Sequence, residues 1–516
     1  MISPSTLDII KNPLEFFIMD QFEYEGSWWL PENPVYKISG TLKFHPIEGA
    51  YLELIGAFKK FIDFKTLLEP KIILGNTSDG IITLYDCFEN RSSFAGLFTS
   101  SFYVNVIFKG HHFEKEEDII FNNLSINYSH LEEWTKISGF IIYPDTDESH
   151  RTKNVDVFYT YPQKVEAKLE NLNISLDYDF SLNMKGIEEY HLKQITFIKM
   201  EPDKPIHYNE FQNNICCHIQ NFLSLAMGKA IYPLIIKGEN ASCKKESPDG
   251  SVKFKKISIF YSMNRLPDLS KQINRKEMFF QFEDISDNFE KYLNNWMKKS
   301  EILKPVYGLY FGTLYNPTMY HEHKFLSLIQ AIESYHRRVH DGKYVSEDEY
   351  AKIYEQLINA IPDLSNKDLK ESLIQAIESY HRGVYDGKYV SEDEYAKIYE
   401  RLINAIPDLS NKDLKESLKK RMQYGNEFSL RKRLKEIIKK CNSFTNSLIP
   451  NETEFIEDIV NTRNFLTHYD KKGENQAKVT YKEMDNLVKK MKCLIKICFL
   501  IEMEISKERI ETLVRR

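Results

Sequence analysis

The sequence predicts a two-part α+β protein, a β-rich, sandwich-like first region followed by an all-α helical bundle. Three observations predict it. Apolar residues alternate with a period of two through roughly the first 280 residues, and after about Asp287 the period becomes helical. Aromatic residues make up 13% of the chain, with 33 Phe and 31 Tyr, the types enriched in strands. At 516 residues the chain is also too long for a single hydrophobic core. The boundary is placed near Ser300, giving a region 1–300 and a region 301–516.

The elements follow in order. Tyr36, Ile38, Leu42 and Phe44 alternate with polar neighbours, as do Leu124, Ile126 and Tyr128. Leu172, Ile174, Leu176, Tyr178, Phe180, Leu182 and Met184 mark one long strand with a buried and a wet face. Many such strands between turn-rich pieces predict a sandwich or a strongly curved sheet. One helix interrupts them between about Asn209 and Gly228, where Phe211, Ile215, Ile219, Phe222 and Ala226 share a stripe. Beyond Asp287, Phe289, Leu293, Trp296 and Met297 face one way, and Pro305 is expected to break the chain. From Tyr320 onward amphipathic helices alternate with short polar connections.

Composition narrows the function. Hydrophobic content of 42% and charged content of 28% exclude disorder on a large scale. A formal net charge of −6 excludes a generic polyanion binder, so any nucleic-acid surface must be a local patch. The seven cysteines (Cys87, Cys216, Cys217, Cys243, Cys441, Cys493 and Cys498) are odd in number and form no CxxC pair. They support neither a disulfide framework nor a zinc ribbon, and fit a reducing cytosol. Cys216, Cys217 and His218 lie on the amphipathic helix above, where buried cysteines are commoner than metal ligands. Met1 to Lys11 lacks the features of a signal peptide, and the apolar run Cys493 to Ile501 is short and interrupted by Lys496. The expectation is a cytoplasmic protein with no membrane partner. No Walker loop, zincin or serine-hydrolase pattern occurs.

A tandem duplication lies in the second region. Ser327 to Glu371 recurs as Ser372 to Glu416 with three changes: Arg338 to Gly383, His340 to Tyr385, and Gln356 to Arg401. A solenoid needs more units, so the repeat reads as a recent duplication, with an added partner-binding hairpin as the alternative. The first copy continues from His321-Glu322-His323-Lys324-Phe325-Leu326, which lengthens its apolar face; it is taken as the original first helix of the bundle.

The chemistry concentrates at Arg463-Asn464-Phe465-Leu466-Thr467-His468. Asn451, with Glu454 three residues on, predicts the start of a helix that ends near Tyr469, before the turn Asp470 to Gly473. Asn464 and His468 are four apart and share a face. Arg463 and His468 are five apart, about 140° around the axis. They converge through the long Arg stem, by distortion of the helix end, or across a two-fold dimer. RNA brings its own nucleophile, the 2′-OH, so cleavage needs a proton-transfer group and a cation for the phosphorane-like charge. His468 suits the first role, Arg463 the second, and Asn464 can orient the phosphate or the ring; no metal or other cofactor is required.

These residues carry a resemblance. The chain resembles the HEPN superfamily, whose ribonuclease members place Arg, a polar residue, three more residues and His near the end of a bundle helix; Arg463 to His468 fits without a gap. Lys324-Phe-Leu-Ser-Leu-Ile-Gln-Ala-Ile-Glu-Ser-Tyr-His-Arg337 is similar to the first bundle helix of the ApeA-like HEPN subgroup. Phe108-Lys-Gly-His-His112 and Leu131-Glu-Glu-Trp134 resemble that subgroup's N-terminal domain. The resemblance implies an endoribonuclease of anti-phage defence, acting by abortive infection on cellular RNA such as tRNA, as a homodimer or larger assembly. By analogy a phage-derived trigger would bind the first region. Glu333 matches the acidic first-helix position that can pair with the motif Arg, or is a solvated charge; Glu378 is its duplicate. His336, Arg337, His381 and Arg382 read as structural or interfacial.

Ahead of the motif, Lys419, Lys420, Arg421, Arg431, Lys432, Arg433, Lys435, Lys439 and Lys440 form a track for RNA phosphates or a solvated helix face. The last long helix starts at Thr480 with Glu483, and its stripe from Met484 to Ile501 serves core packing or a dimer contact. A non-catalytic RNA- or nucleotide-binding HEPN module remains the alternative function. It would have no use for a proton-transfer group.

Overall fold

The computed structural model describes residues 17–59, 67–94, 96–147, 151–246, 252–269, 273–352, 427–446, 448–469 and 474–515. The chain divides into two compact units, the first ending at Lys298 and the second running from Lys299 to Arg515.

In the first unit, six antiparallel strands form a ring: β1 (Phe22–Trp29), β2 (Ile38–His45), β3 (Gly49–Leu54), β4 (Ile72–Thr77), β5 (Gly80–Phe94) and β6 (Phe98–Lys109). Pairing runs β6-β3-β2-β1-β4-β5, and β5 pairs again with β6, so the predicted curvature is carried to closure and the ring has no free edge. Trp28, Leu42, Leu52, Ile82, Leu84 and Phe102 are fully buried, one or two from each of five strands. The Trp28 indole donates to the Gly40 carbonyl at 3.0 Å. A Cβ on Gly75 would lie 2.2 Å from the same ring, so only glycine fits there.

Strand β6 also pairs with a second set of strands that extends the sheet. Their elements, in chain order, are β7 (Ile120–Phe121), β8 (Asn123–Tyr128), α1 (Leu131–Thr135), β9 (Phe140–Thr146), β10 (Thr152–Tyr159), β11 (Val165–Lys168), β12 (Leu172–Lys185), β13 (Glu189–Pro202), β14 (Ile206–His207), α2 (Tyr208–Phe211), a π-helical turn Gln212–Cys216, α3 (Cys217–Met227), β15 (Pro233–Glu246) and β16 (Val252–Phe260). The extension runs β16-β15-β8-β13-β12-β11, while β9–β10 and β7–β14 pair separately. Leu172, Ile174 and Leu176 bury one side of β12, as the alternation predicts; towards the hairpin tip Met184 is exposed. The interrupting helix is α2, the π turn and α3, with Phe211, Ile215, Ile219, Phe222 and Ala226 all buried.

Two motifs of this unit have a packing role. Phe108 lies among the rings of Phe113, Phe121 and Tyr208, at 5.4, 5.8 and 5.2 Å. Trp134 donates from its indole to the Phe280 carbonyl at 3.2 Å. Glu132 accepts from the Thr196 amide at 2.9 Å and from Asn127 at 3.1 Å, fastening α1 to the strands beneath.

The division between the units falls inside α4 (Phe289–Tyr315), and Pro305 does not break that helix. Pro305 and Glu301, whose carbonyl loses its helical donor, are both exposed, a setting in which a helical proline costs least because the freed oxygen is open to solvent. Arg338 supplies a further donor to the next carbonyl, that of Ile302, at 3.3 Å.

The second unit continues with α5 (His321–His340), α6 (Leu430–Thr445), α7 (Glu452–His468), α8 (Tyr481–Glu502) and α9 (Lys507–Arg515). Helix α8 packs on α5, α6 and α9, and α6 packs on α5, α7 and α8. Thr480 and Glu483 form both halves of the capping box that starts α8. Met484, Leu487, Val488, Met491, Leu494, Ile495 and Cys498 are buried, so the stripe is core within the chain itself. The helix of the first repeat copy is α5; Phe325, Leu328, Ile329, Ile332 and Tyr335 are all buried. The Phe428 amide donates to the Gly342 carbonyl at 2.8 Å, so the chain just past α5, within the first copy, lies beside the chain that leads into α6. The second copy, including Glu378, His381 and Arg382, lies outside the described residues, as do Lys419, Lys420 and Arg421. Among the described residues no helix is long and apolar enough to cross a membrane.

Candidate functional site

Helix α7 carries the motif. The Asn451 side chain accepts from the Glu454 amide at 3.1 Å and donates to the Glu454 carboxylate at 3.0 Å, fixing the start of the helix. Phe455, Ile456, Ile459, Thr462 and Leu466 hold it against the bundle. The helix stays regular to His468, and Tyr469 closes it in the left-handed conformation (φ 48°) with its amide on the Phe465 carbonyl at 2.6 Å. Residues 470–473 lie outside the described chain.

At this end Arg463 is half-buried, and Asn464 and His468 are exposed. Arg463 donates to the Asn464 side-chain oxygen at 3.2 Å. The Thr467 hydroxyl donates to the Arg463 carbonyl. Among the described residues His468 makes no hydrogen bond or ion pair and does not touch Arg463. An undistorted helix end removes one of the three routes to convergence, leaving the reach of the Arg stem and the approach of a second copy. Buried Thr462 accepts the Lys478 amide at 2.9 Å, strapping the segment before α8 onto the motif helix one residue ahead of Arg463.

The remaining sequence-predicted residues are not gathered around Arg463. Glu333 is half-buried on α5, and its charge acts on Arg433. Arg431 faces Glu457 of α7 in a two-pronged ion pair, the second prong at 2.8 Å, and this holds the Glu457 carboxyl below its usual range. The Lys432 ammonium sits 4.9 Å from the centre of the Phe428 ring.

Arg433 corrects the expectation of a phosphate track. It is 1% exposed and donates to the Phe428 carbonyl at 2.9 Å, the His336 Nδ1 at 3.2 Å and Glu427 at 3.2 Å. A guanidinium so enclosed is closed off from RNA. Fully buried His336 hydrogen-bonds Glu436 through Nε2 at 2.8 Å. Since Arg433 donates to Nδ1, the proton sits on Nε2 and the ring is neutral. Burial is the first cause that holds His336 below the ordinary imidazole range, with Arg433 adding to it and Glu436 opposing. A signal for this was present in the sequence: Arg433, Ile437 and Cys441 recur every four residues, in register with the apolar stripe.

The ApeA N-terminal domain 1 family matches residues 23–296, more than half of the chain, and the Apea-like HEPN family matches residues 371–509. The chain belongs to the ApeA-like HEPN proteins. Arg463 and His468 fall inside the HEPN match, which supports a nuclease-like role in defence. That match begins with the second repeat copy, whereas the described bundle holds the first. The copies are nearly identical, and only the second runs on to α6 without a gap of 45 residues. No curated protein and no solved structure matches.

Proposed function

We propose that this ApeA-like HEPN protein is an endoribonuclease that cleaves cellular RNA, tRNA among it, without a metal ion, and so aborts phage infection. The observation that carries the reading is that Arg463, Asn464 and His468 stand together on the solvent-facing end of α7, inside the HEPN match. His468 takes the proton of the 2′-OH as O2′ bonds to phosphorus, and Arg463 neutralises the charge that builds on the phosphoryl oxygens. The P–O5′ bond then breaks, O5′ takes up a proton, and the products end in a 2′,3′-cyclic phosphate and a 5′-OH. Asn464, hydrogen-bonded to Arg463, orients the guanidinium or the phosphate.

One histidine cannot take and give a proton in the same instant, and Arg463 and His468 diverge by about 140° on a regular helix. Both facts favour a homodimer or larger assembly in which two motifs complete one site. The first unit serves as sensor of a phage-derived trigger, which a chain starting at Lys299 would no longer need.

The test is cleavage of total cellular RNA, with EDTA present, by wild type and His468→Ala. Discrete fragments from the wild type alone, ending in cyclic phosphate, are expected. Fragments unaffected by the substitution would remove His468 from the site. RNA bound but never cut, with or without lysate from phage-infected cells, would make the protein a binding module.

A further inference from the structure

Among the described residues of the second unit, large rings stand in solvent at Tyr469, beside His468, and at a pair of helix starts. Tyr320 and Tyr481 are 76% and 72% exposed, where tyrosines ordinarily bury most of their ring. They flank the first turns of two adjacent helices, Tyr320 capping α5 and Tyr481 opening α8. The His321 ring packs on Tyr481 at 4.4 Å, tying the two turns together.

Lysines follow the rings along the same two helices, Lys324 on α5, its ammonium on the Pro317 carbonyl at 2.9 Å, and Lys492 about three turns along α8. Lys324, one turn along α5, and Lys496 both act on Lys492 of α8; burial first, then these two charges, push the Lys492 ammonium down to about 8. Asp485 opposes the effect but is paired with Lys489 at 2.7 Å. Bringing half-buried like charges together costs folding stability, a cost met at sites that take an anion.

The patch adjoins the motif. Lys478, whose amide is held by Thr462 next to Arg463, is three residues before Tyr481, so about 10 Å of chain spans the interval.

We propose that Tyr320 and Tyr481, with Lys324 and Lys492, form a platform that stacks unpaired bases and holds the intervening phosphates of the RNA. It makes the protein selective for single-stranded segments, and this rests on the nuclease reading above. Exposed rings offer a face to any splayed base, and lysines track the backbone. A duplex keeps its bases stacked inside and has nothing to give the rings.

The experiment uses the full chain carrying His468→Ala and measures affinity for a uridine oligonucleotide and for an RNA duplex of the same length. Adding Tyr481→Ala is expected to weaken oligonucleotide binding about tenfold, the order of one lost stacking partner, and to leave duplex binding unchanged. Lys492→Met is expected to weaken it similarly while raising the thermal midpoint, since it removes a disfavoured charge; a merely structural lysine would not separate the two readouts. Unchanged affinity in both variants overturns the platform, as does equal loss for single strand and duplex. Loss of self-association without loss of RNA affinity overturns it too, and makes the patch an interface between copies. Cleavage is read separately: a platform that fails while cutting still depends on His468 leaves the nuclease reading standing, and a platform that binds in a chain that never cuts refutes only the latter.

Discussion

The second unit holds two arginine–histidine pairs that composition cannot tell apart, and the bundle treats them oppositely. At Arg433 and His336 both side chains are buried and each finds donors or acceptors inside the chain. At Arg463 and His468 the histidine is exposed and, among the described residues, the guanidinium's hydrogen bond is to its neighbour Asn464. A saturated pair has spent its chemistry on holding helices together. An open pair has it in reserve, and that difference assigns one pair to structure and the other to the proposed reaction.

The sharpest way to break the contrast is to remove the two histidines. His468→Ala is expected to lower RNA cleavage by about 10²–10⁴-fold, the span of one acid–base group. Its thermal midpoint should stay at the wild-type value, because an exposed ring without internal partners leaves nothing unsatisfied. A comparable loss of stability would show that His468 is a structural residue after all.

Arg433→Ala should do the reverse. It strands the His336 Nδ1, the Phe428 carbonyl and part of Glu427, and a cost of about 3 kcal/mol follows from breaking a buried charged network on one side. Denaturant unfolding measures it; a change under about 0.5 kcal/mol would place Arg433 in the class of surface residues. The same network predicts a pH dependence. The folded chain holds His336 below its ordinary value, so folding favours the neutral ring. That stability is complete above pH of about 6.5, the unfolded imidazole's value, and is lost as pH falls through the lower folded value. The groups facing it are Glu436 and Arg433 of α6 and His340 of its own helix. The fall in thermal midpoint between pH 7 and 5 should be shallower in His336→Gln; an equal slope would move the titration to other groups.

How far these distinctions were legible depends on range. Periods are local: the alternation of Leu172, Ile174 and Leu176 and the stripe of Phe211 to Ala226 give strand and helix directly. Closure of the ring is different: β5 and β6 are a local hairpin, but the pairing of β6 with β3, Ala50 opposite Val104, joins distant edges, and no local pattern encodes it. Pro305 misled because the penalty of a helical proline depends on whether the freed carbonyl is wet, which is a property of the surface. At the site, Arg463, Asn464 and His468 stand out by spacing, while charge alone grouped Arg433 with Arg431 and Lys432. Their separate fates, buried network, ion pair with Glu457 and ring contact with Phe428, depend on partners up to 97 residues away.

The smallest expected effect concerns the repeat, and it isolates what distinguishes one copy of a helix from another. Removing Ser372–Glu416 joins Glu371 to Ser417, and removing Ser327–Glu371 joins Leu326 to Ser372; both chains keep Phe325, and they differ only at the three substituted positions. Since Gly342 and Phe428 already meet, neither junction need stretch the bundle. The first deletion retains Arg338 on the Ile302 carbonyl beside Pro305, and His340 3.4 Å from Lys440. It should unfold with the full-length chain and cut RNA at the same rate. The second replaces these by Gly383 and Tyr385, placing glycine in the last turns of α5 and removing the further donor that Arg338 gives the Ile302 carbonyl. A deficit of about 1 kcal/mol is expected from the glycine alone. Equal stability of the two deletions would show that Arg338 and His340 contribute nothing to seating α5. The remaining reason for the first copy to occupy the bundle would then be Phe325, whose counterpart in the second copy is Lys370.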